Sequence, residues 1–396
     1  MMLIRKLFRT AWNYKSQFIS MIIMIAIGVG VFLGFNIEWK SLEEDGYGFL
    51  EETNYADFRL YAETGFTEED IQAIQDIAGV DAATRYLAMN VGIKDTKKSL
   101  ALNVSENYTV STMLVTEGAA YDKASDGIWL SDKFAAANDI SVGDTLITTY
   151  AGMEISGEVV GLVKSGEQMI CVADENQLMP DYETFGFMYI SPEKLEETLG
   201  FAFYPQINVI SDLSKEELEE AVGDALGKTV QVLSKEMHVA YAGIKSEAEE
   251  GKTMGSILPV LFLAIAILTM ITTMHRIAAN EKVQIGTLKA LGFRDARILR
   301  HYTSYGFVIG LFGMLLGVAM GYGIAGLIVS PTGMMSTYLD IPDWSLVMPG
   351  FCYPVIIFTV VVLTFISFLS GKKMGVSSAA EAARSPARTA GNLFGK

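Results

Sequence analysis

Residues 16–37 read SQFISMIIMIAIGVGVFLGFNI, a run without one charged side chain. An α-helix needs about 20 apolar residues to cross a hydrocarbon layer of roughly 30 Å. This run is long enough, and it is too long for the apolar region of a cleaved leader. No small-x-small cleavage site precedes Glu38, so the stretch reads as a signal-anchor. Three more runs of the same kind follow, at residues 254–274, 302–329 and 350–371. The expected fold is a membrane protein with four transmembrane α-helices. A large α+β extracytoplasmic domain, residues 38–250, lies between the first and second.

Composition agrees. The chain has 396 residues, 51% of them hydrophobic and 19% charged, with a mean hydropathy of +0.31. Soluble chains carry about 25% charged residues. A disordered protein is excluded, and an ordinary cytosolic enzyme does not fit. The net charge of −16 gives no basic footprint for nucleic acid. Two cysteines, Cys171 and Cys352, cannot frame a disulfide scaffold. His238, His275 and His301 are too scattered to suggest a metal site. No nucleophile–base pair stands out, so no catalytic, metal-binding or cofactor-binding residue is expected on this chain.

Charge is divided sharply along the sequence. Residues 37–250 hold 41 acids and 14 bases, a net of −27, and the remainder carries +11. Lysine and arginine in short segments orient a membrane chain. They occur at Arg5, Lys6, Arg9 and Lys15, six times within 276–300, and in the tail 372–396. Segment 330–349 has none, but holds Asp340 and Asp343. Both termini and residues 276–300 are therefore expected inside, in the cytoplasm of a plasma-membrane protein. The domain 38–250 and the loop 330–349 are expected outside. Within residues 1–15, Leu3, Ile4, Leu7, Phe8, Ala11 and Trp12 share one helical face, as suits a helix lying in the inner interface.

The outer domain mixes both patterns. Residues 38–53 extend the first span as helix, and Tyr55–Tyr61, Ala88–Ile93 and Leu100–Val104 read as strands. Thr67 with Asp70 and Ser214 with Glu217 form capping boxes that open helices. Residues 145–150 and 153–163 suggest a hairpin around Ala151-Gly152. The acidic clusters are read as solvated helix faces.

The segment that speaks to function runs Glu281-Lys282-Val283-Gln284-Ile285-Gly286-Thr287-Leu288-Lys289-Ala290-Leu291-Gly292. Ile285, Leu288 and Leu291 fall along one side of a helix that Gly292 is placed to end. Glu281–Gly292, followed by Arg294–Arg300 and a glycine-rich span, closely resembles the coupling region of FtsX/MacB-type (type VII) ABC transporter permeases. The runs Trp129-Leu130-Ser131, Val142-Gly143-Asp144 and Val159-Val160-Gly161 also resemble that family's outer domain, and Ala380–Arg384 its terminal motif. The resemblance implies a permease subunit that passes the ATP-driven motion of a separate cytosolic ATPase to the outer domain, for export or extraction of a substrate. The alternative it implies is an FtsX-like mechanotransmitter that regulates an external partner such as a cell-wall hydrolase.

It also implies that Glu281, Lys282, Ile285, Gly286, Leu288, Lys289, Leu291 and Gly292 contact the ATPase. The sequence has no G-x-x-x-x-G-K-[ST] cradle, so ATP is expected on the partner. ABC ATPases work as pairs, which implies a second permease unit, identical or homologous. The third span carries Gly306, Gly310, Gly313, Gly317 and Gly321, at spacings that let helices approach closely. That ladder suits either a tight bundle within the chain or a contact between protomers.

Overall fold

A computed structural model of the chain describes residues 9–10, 12–174, 177–200, 203–281, 286–287, 289 and 291–384. Among these, the elements run α1 (Lys15–Glu52), β1 (Phe58–Tyr61), α2 (Glu68–Gln75), β2 (Val80–Ile93), β3 (Ser99–Ser105), β4 (Met113–Gly118), β5 (Ile128–Ser131) and α3 (Asp132–Ala137). They continue with β6 (Thr145–Tyr150), β7 (Met153–Ser165), β8 (Phe185–Tyr189), α4 (Pro192–Leu199), β9 (Gln206–Ser211), α5 (Lys215–Leu226) and β10 (Gln231–Ser234). The last three are α6 (Val239–Asn280), α7 (Asp295–Ile328) and α8 (Cys352–Arg384). The chain forms two compact units, one from residues up to 40, 249–328 and 346 onward, the other from residues 41–248 and 329–345.

The first unit contains four helices long and apolar enough to cross a membrane, within α1, α6, α7 and α8. Its core joins Met21, Ile25, Val29 and Leu33 of α1 to Met270 and Met274 of α6, Tyr305 and Ile309 of α7, and Leu363 of α8. The interfacial face expected within residues 1–15 lies mostly outside the described residues.

The second unit is the α+β domain. Its strands form one mixed sheet in the order β10-β1-β9-β2-β3-β8-β5-β7-β4, with β6 paired to β2 and β7. The long β2 serves two cores. Residues 80–86 pair with β9, beside a core of Phe58, Leu60, Ile74, Val209 and Leu218. Residues 86–92 pair with β3, beside a core of Leu102, Ile128, Phe134, Val159 and Met188.

Local chemistry explains the boundaries. Thr67 and Ser214 bond the third backbone amide of α2 and α5, and Asp70 and Glu217 bond back to the caps. Ala151 and Gly152 both take positive φ, 48° and 86°, as a tight β6–β7 turn needs. The strand expected from Tyr55 begins only at Phe58. Asn54 takes a left-handed φ of 46° and the Tyr55 amide bonds back to the Leu50 carbonyl at 2.9 Å, so the chain is still closing α1 there. The strand expected at Ala88–Ile93 starts eight residues earlier, at Val80, because β9 pairs with its first half.

Candidate coupling site

The candidate site follows the end of α6, in the first unit. Glu281, the first residue of the connector, is buried at 4% exposure. Its Oε1 accepts from the Thr10 hydroxyl at 3.1 Å and its Oε2 from the Tyr302 hydroxyl at 2.5 Å. Ser367 Oγ of α8 donates to the Tyr302 carbonyl at 2.8 Å, and Tyr305 pairs its hydroxyl with His301 Nε2 at 2.9 Å. A buried carboxylate needs hydrogen-bond donors, and two hydroxyls supply them. Glu281 thus ties the start of the connector to Thr10 and to α7.

Of the connector's other described residues, Gly286, Thr287, Leu291 and Gly292 are exposed. Gly286 is exposed, and a Cβ built on it would meet no atom within 4 Å. Leu291 is 70% exposed. Gly292 takes φ of 80°, and its amide bonds to the Lys289 carbonyl at 3.0 Å. Lys289 reaches Asp295, the first residue of α7, at 3.0 Å. Lys282, Ile285 and Leu288 lie outside the described residues.

The glycine ladder is used inside the chain. Cβ atoms on Gly313, Gly317 and Gly321 of α7 would lie 2.7, 2.6 and 2.5 Å from the Cβ atoms of Ile25, Val29 and Leu33 of α1. In return, a Cβ on Gly34 of α1 would lie 2.7 Å from Ile324 Cγ2, and one on Gly30 3.0 Å from Met320 Cβ. The two helices therefore interlock at four-residue spacing, each glycine taking a side chain of the other. Gly306 and Gly310 face α8 instead, against Ser367 and Val360. All five are buried.

Residues 256–376 match the family of FtsX-like permease C-terminal domains. Over 311 residues the chain is 26% identical to the uncharacterized ABC transporter permease MJ1507 of Methanocaldococcus jannaschii, spanning 70% of each. Over 358 residues it is 22% identical to the uncharacterized ABC transporter permease YknZ of Bacillus subtilis, spanning 85% of this chain and 86% of that one. Among solved structures, the extracellular domain of the noncanonic ABC-type transporter YknZ from Gram-positive bacteria aligns with a TM-score of 0.33 at 18% identity, over 45% of this chain and 99% of that one. The periplasmic region of MacB from Actinobacillus actinomycetemcomitans aligns with a TM-score of 0.31 at 12% identity, over 50% of this chain and 95% of that one.

Proposed function

Because this chain belongs to the FtsX/MacB-type family of ABC transporter permeases, we propose that it is the membrane subunit of a complex whose separate ATPase drives its outer domain mechanically. The observation that carries this reading is the connector. Glu281 is locked into the bundle, while Gly286 and Leu291 stand open beyond it. A partner that grips the open part moves the anchored part with it, and so moves α7 and Thr10. Helices α1 and α6 each contain a membrane-class span and continue into residues of the α+β unit, to Glu52 and from Val239. A hydrogen-bonded helix transmits an axial push without needing a pore.

In this reading the N-terminus, the connector and the C-terminal tail are cytoplasmic, and the α+β unit is outside. The lysine and arginine distribution supports that orientation. ATP binds the partner, and two permease units serve a pair of ATPases. The size of the outer unit favours export or extraction of a substrate over regulation of an external enzyme.

Co-purification with the cognate ATPase tests the reading. The native chain should retain the ATPase and give a native mass containing two permease units. Gly286→Glu and Leu291→Glu should each reduce capture at least ~10-fold, about 1.4 kcal/mol, while leaving membrane insertion intact. Normal capture and ATP-dependent function in Gly286→Glu would refute the docking surface. A stable, active complex of one permease unit with one ATPase would refute the pairing.

A further inference from the structure

Strand β7 ends at Ser165, and the residues after it touch three separate connectors of the α+β unit. The first connector is the end of α1. A Cβ on Gly166 would lie 2.8 Å from Thr53 Oγ1 and 3.0 Å from Leu50 Cδ2, so α1 closes directly onto this backbone. The second is the start of α6. His238 Nε2 lies 3.5 Å from Glu167 Oε2, and the Ile170 side chain covers Gly243. The third is the segment between α7 and α8. Lys164 forms an ion pair with Asp340, and the Asp340 amide donates to the Met169 carbonyl at 2.8 Å.

Glu167 sits at the centre. It takes Arg59 of β1 in a two-pronged pair, Nε to Oε2 at 3.1 Å and Nη2 to Oε1 at 2.6 Å. Ser111 Oγ donates to Oε1 at 2.5 Å. Arg59 also lies over the Tyr55 ring at 4.5 Å, and the Tyr55 hydroxyl meets His238 Nδ1 at 2.5 Å. The guanidinium is 1% exposed and the carboxylate 5%. Burial, the largest single influence, would raise the Glu167 carboxyl, but Arg59, His238 and the Ser111 hydroxyl together hold it below the usual carboxylate range. Hydrogen-bonded charges this deeply buried have a fixed geometry, because any displacement leaves one unpaired.

We propose that residues 164–170 are the hub at which all three connectors are mechanically joined to the sheet, with Glu167 as the positioning residue. Displacement of the end of α1, the start of α6 or the segment around Asp340 is then felt at the other two. What the hub serves rests on the transmission reading above. Whether it couples the connectors does not.

Hydrogen exchange of the full chain in lipid nanodiscs, without ATPase, tests the coupling. Glu167→Gln keeps the volume and removes the charge. It should raise exchange at least ~10-fold together in residues 50–60, 238–244 and 336–341, and leave the β6–β7 hairpin at native rates. Asp340→Asn acts from the third connector, weakening its pairs with Lys164 and Lys133, and it should also raise exchange at 50–60 and 238–244. It decides the question where Glu167→Gln fails to fold. Increases confined to the mutated connector and residues 164–170 would overturn the hub. A nucleotide-dependent change at these segments, measured with the ATPase added, tests the transmission reading separately. Coupled connectors with no nucleotide response would keep the hub and sink that reading.

Discussion

The two units of this chain are held together by different physics. In the α+β unit buried Arg59 is paired with Glu167 and buried Asp340 with Lys164, and the short helices α2, α3, α4 and α5 each start at a Ser or Thr cap. In the four-helix unit, leucine, isoleucine and phenylalanine point outward, with Leu327 72%, Leu268 65% and Phe358 63% exposed. Such a surface is costly in water and neutral in lipid. A helix pair surrounded by lipid gains nothing from hiding apolar area, so close packing must hold it. That is why the glycines sit where they do. The α+β unit needs its polar groups satisfied because water competes for them, and the four-helix unit needs its backbones close because lipid does not.

The sharpest way to break this contrast is at Gly317. A valine there would place its Cβ 2.6 Å from Val29 Cβ and 3.1 Å from the Ala26 carbonyl oxygen. Gly317→Val should cost at least ~3 kcal/mol, the upper range of overpacking, and reduce the folded yield in mild detergent. Gly323, on the same helix with nothing within 4 Å of its Cβ, supplies the control. Gly323→Val should melt within about 2 °C of the native chain. Equal behaviour of the two variants would mean that α1 and α7 are not held by glycine contacts.

The contrast also decides what could be read from sequence. Charge-free runs of spanning length are local, and they marked the four long helices at once. The capping boxes at Thr67 and Ser214 are equally local. The strand pairing was not legible. β2 runs from Val80 because β9 pairs with its first half, and the sequence separates them by more than a hundred residues. β8 pairs parallel with β3, which no adjacent turn announces. Helix α4 did carry a readable signal, with Ser191 as cap, Pro192 in the first turn and Gly200 at φ 74°. At the candidate site, the motif located the connector but not the residues that Glu281 bonds. Its partners Thr10 and Tyr302 are 271 and 21 residues away, so nothing local pointed to them. The hub was invisible for the same reason, since Glu167 gathers residues from Arg59 to His238.

A smaller effect separates the units by pH. Burial, helped by Arg59, lowers the His238 pKa to about 4, against a weaker opposite pull from Glu167. A histidine depressed in the folded state is protonated first in the unfolded chain. Its stabilising contribution is therefore complete above its ordinary pKa near 6.5 and is lost as pH falls toward 4. The ring is 23% exposed, which reduces the effect. Lowering the pH from about 7 to about 5 should cost the α+β unit about 1–2 kcal/mol through this residue. Asp340, raised by burial, acts in the opposite direction, so the comparison must be with a His238→Asn variant. Thermal melts of both chains at the two pH values should converge at the acidic end. A constant gap between them would show that His238 does not titrate in this window.

The smallest effect sharpens the role of water in the α+β unit. Thr67 Oγ1 accepts the Asp70 amide at 3.2 Å, and Asp70 Oδ2 accepts the Thr67 amide at 2.7 Å. Lys228 Nζ holds the same carboxylate at 2.6 Å. Thr67→Ala removes one of these three bonds. The freed amide is exposed and can turn to water, so the loss should be ~1 kcal/mol, in the middle of the range for caps. Helix α2 would remain, because Ile71 and Ile74 stay buried against the core of Phe58, Leu60 and Val209. Exchange of the Asp70 amide should rise about fivefold, the equivalent of ~1 kcal/mol, with little change at Ile74. Thr67→Ser keeps the oxygen and removes only the methyl group, so it should stay within about 0.5 kcal/mol of the native chain. If Thr67→Ser lost as much as Thr67→Ala, the effect would belong to methyl packing. The cap would then not be what starts this helix, and water competition would not explain why the α+β unit begins each short helix on a hydroxyl.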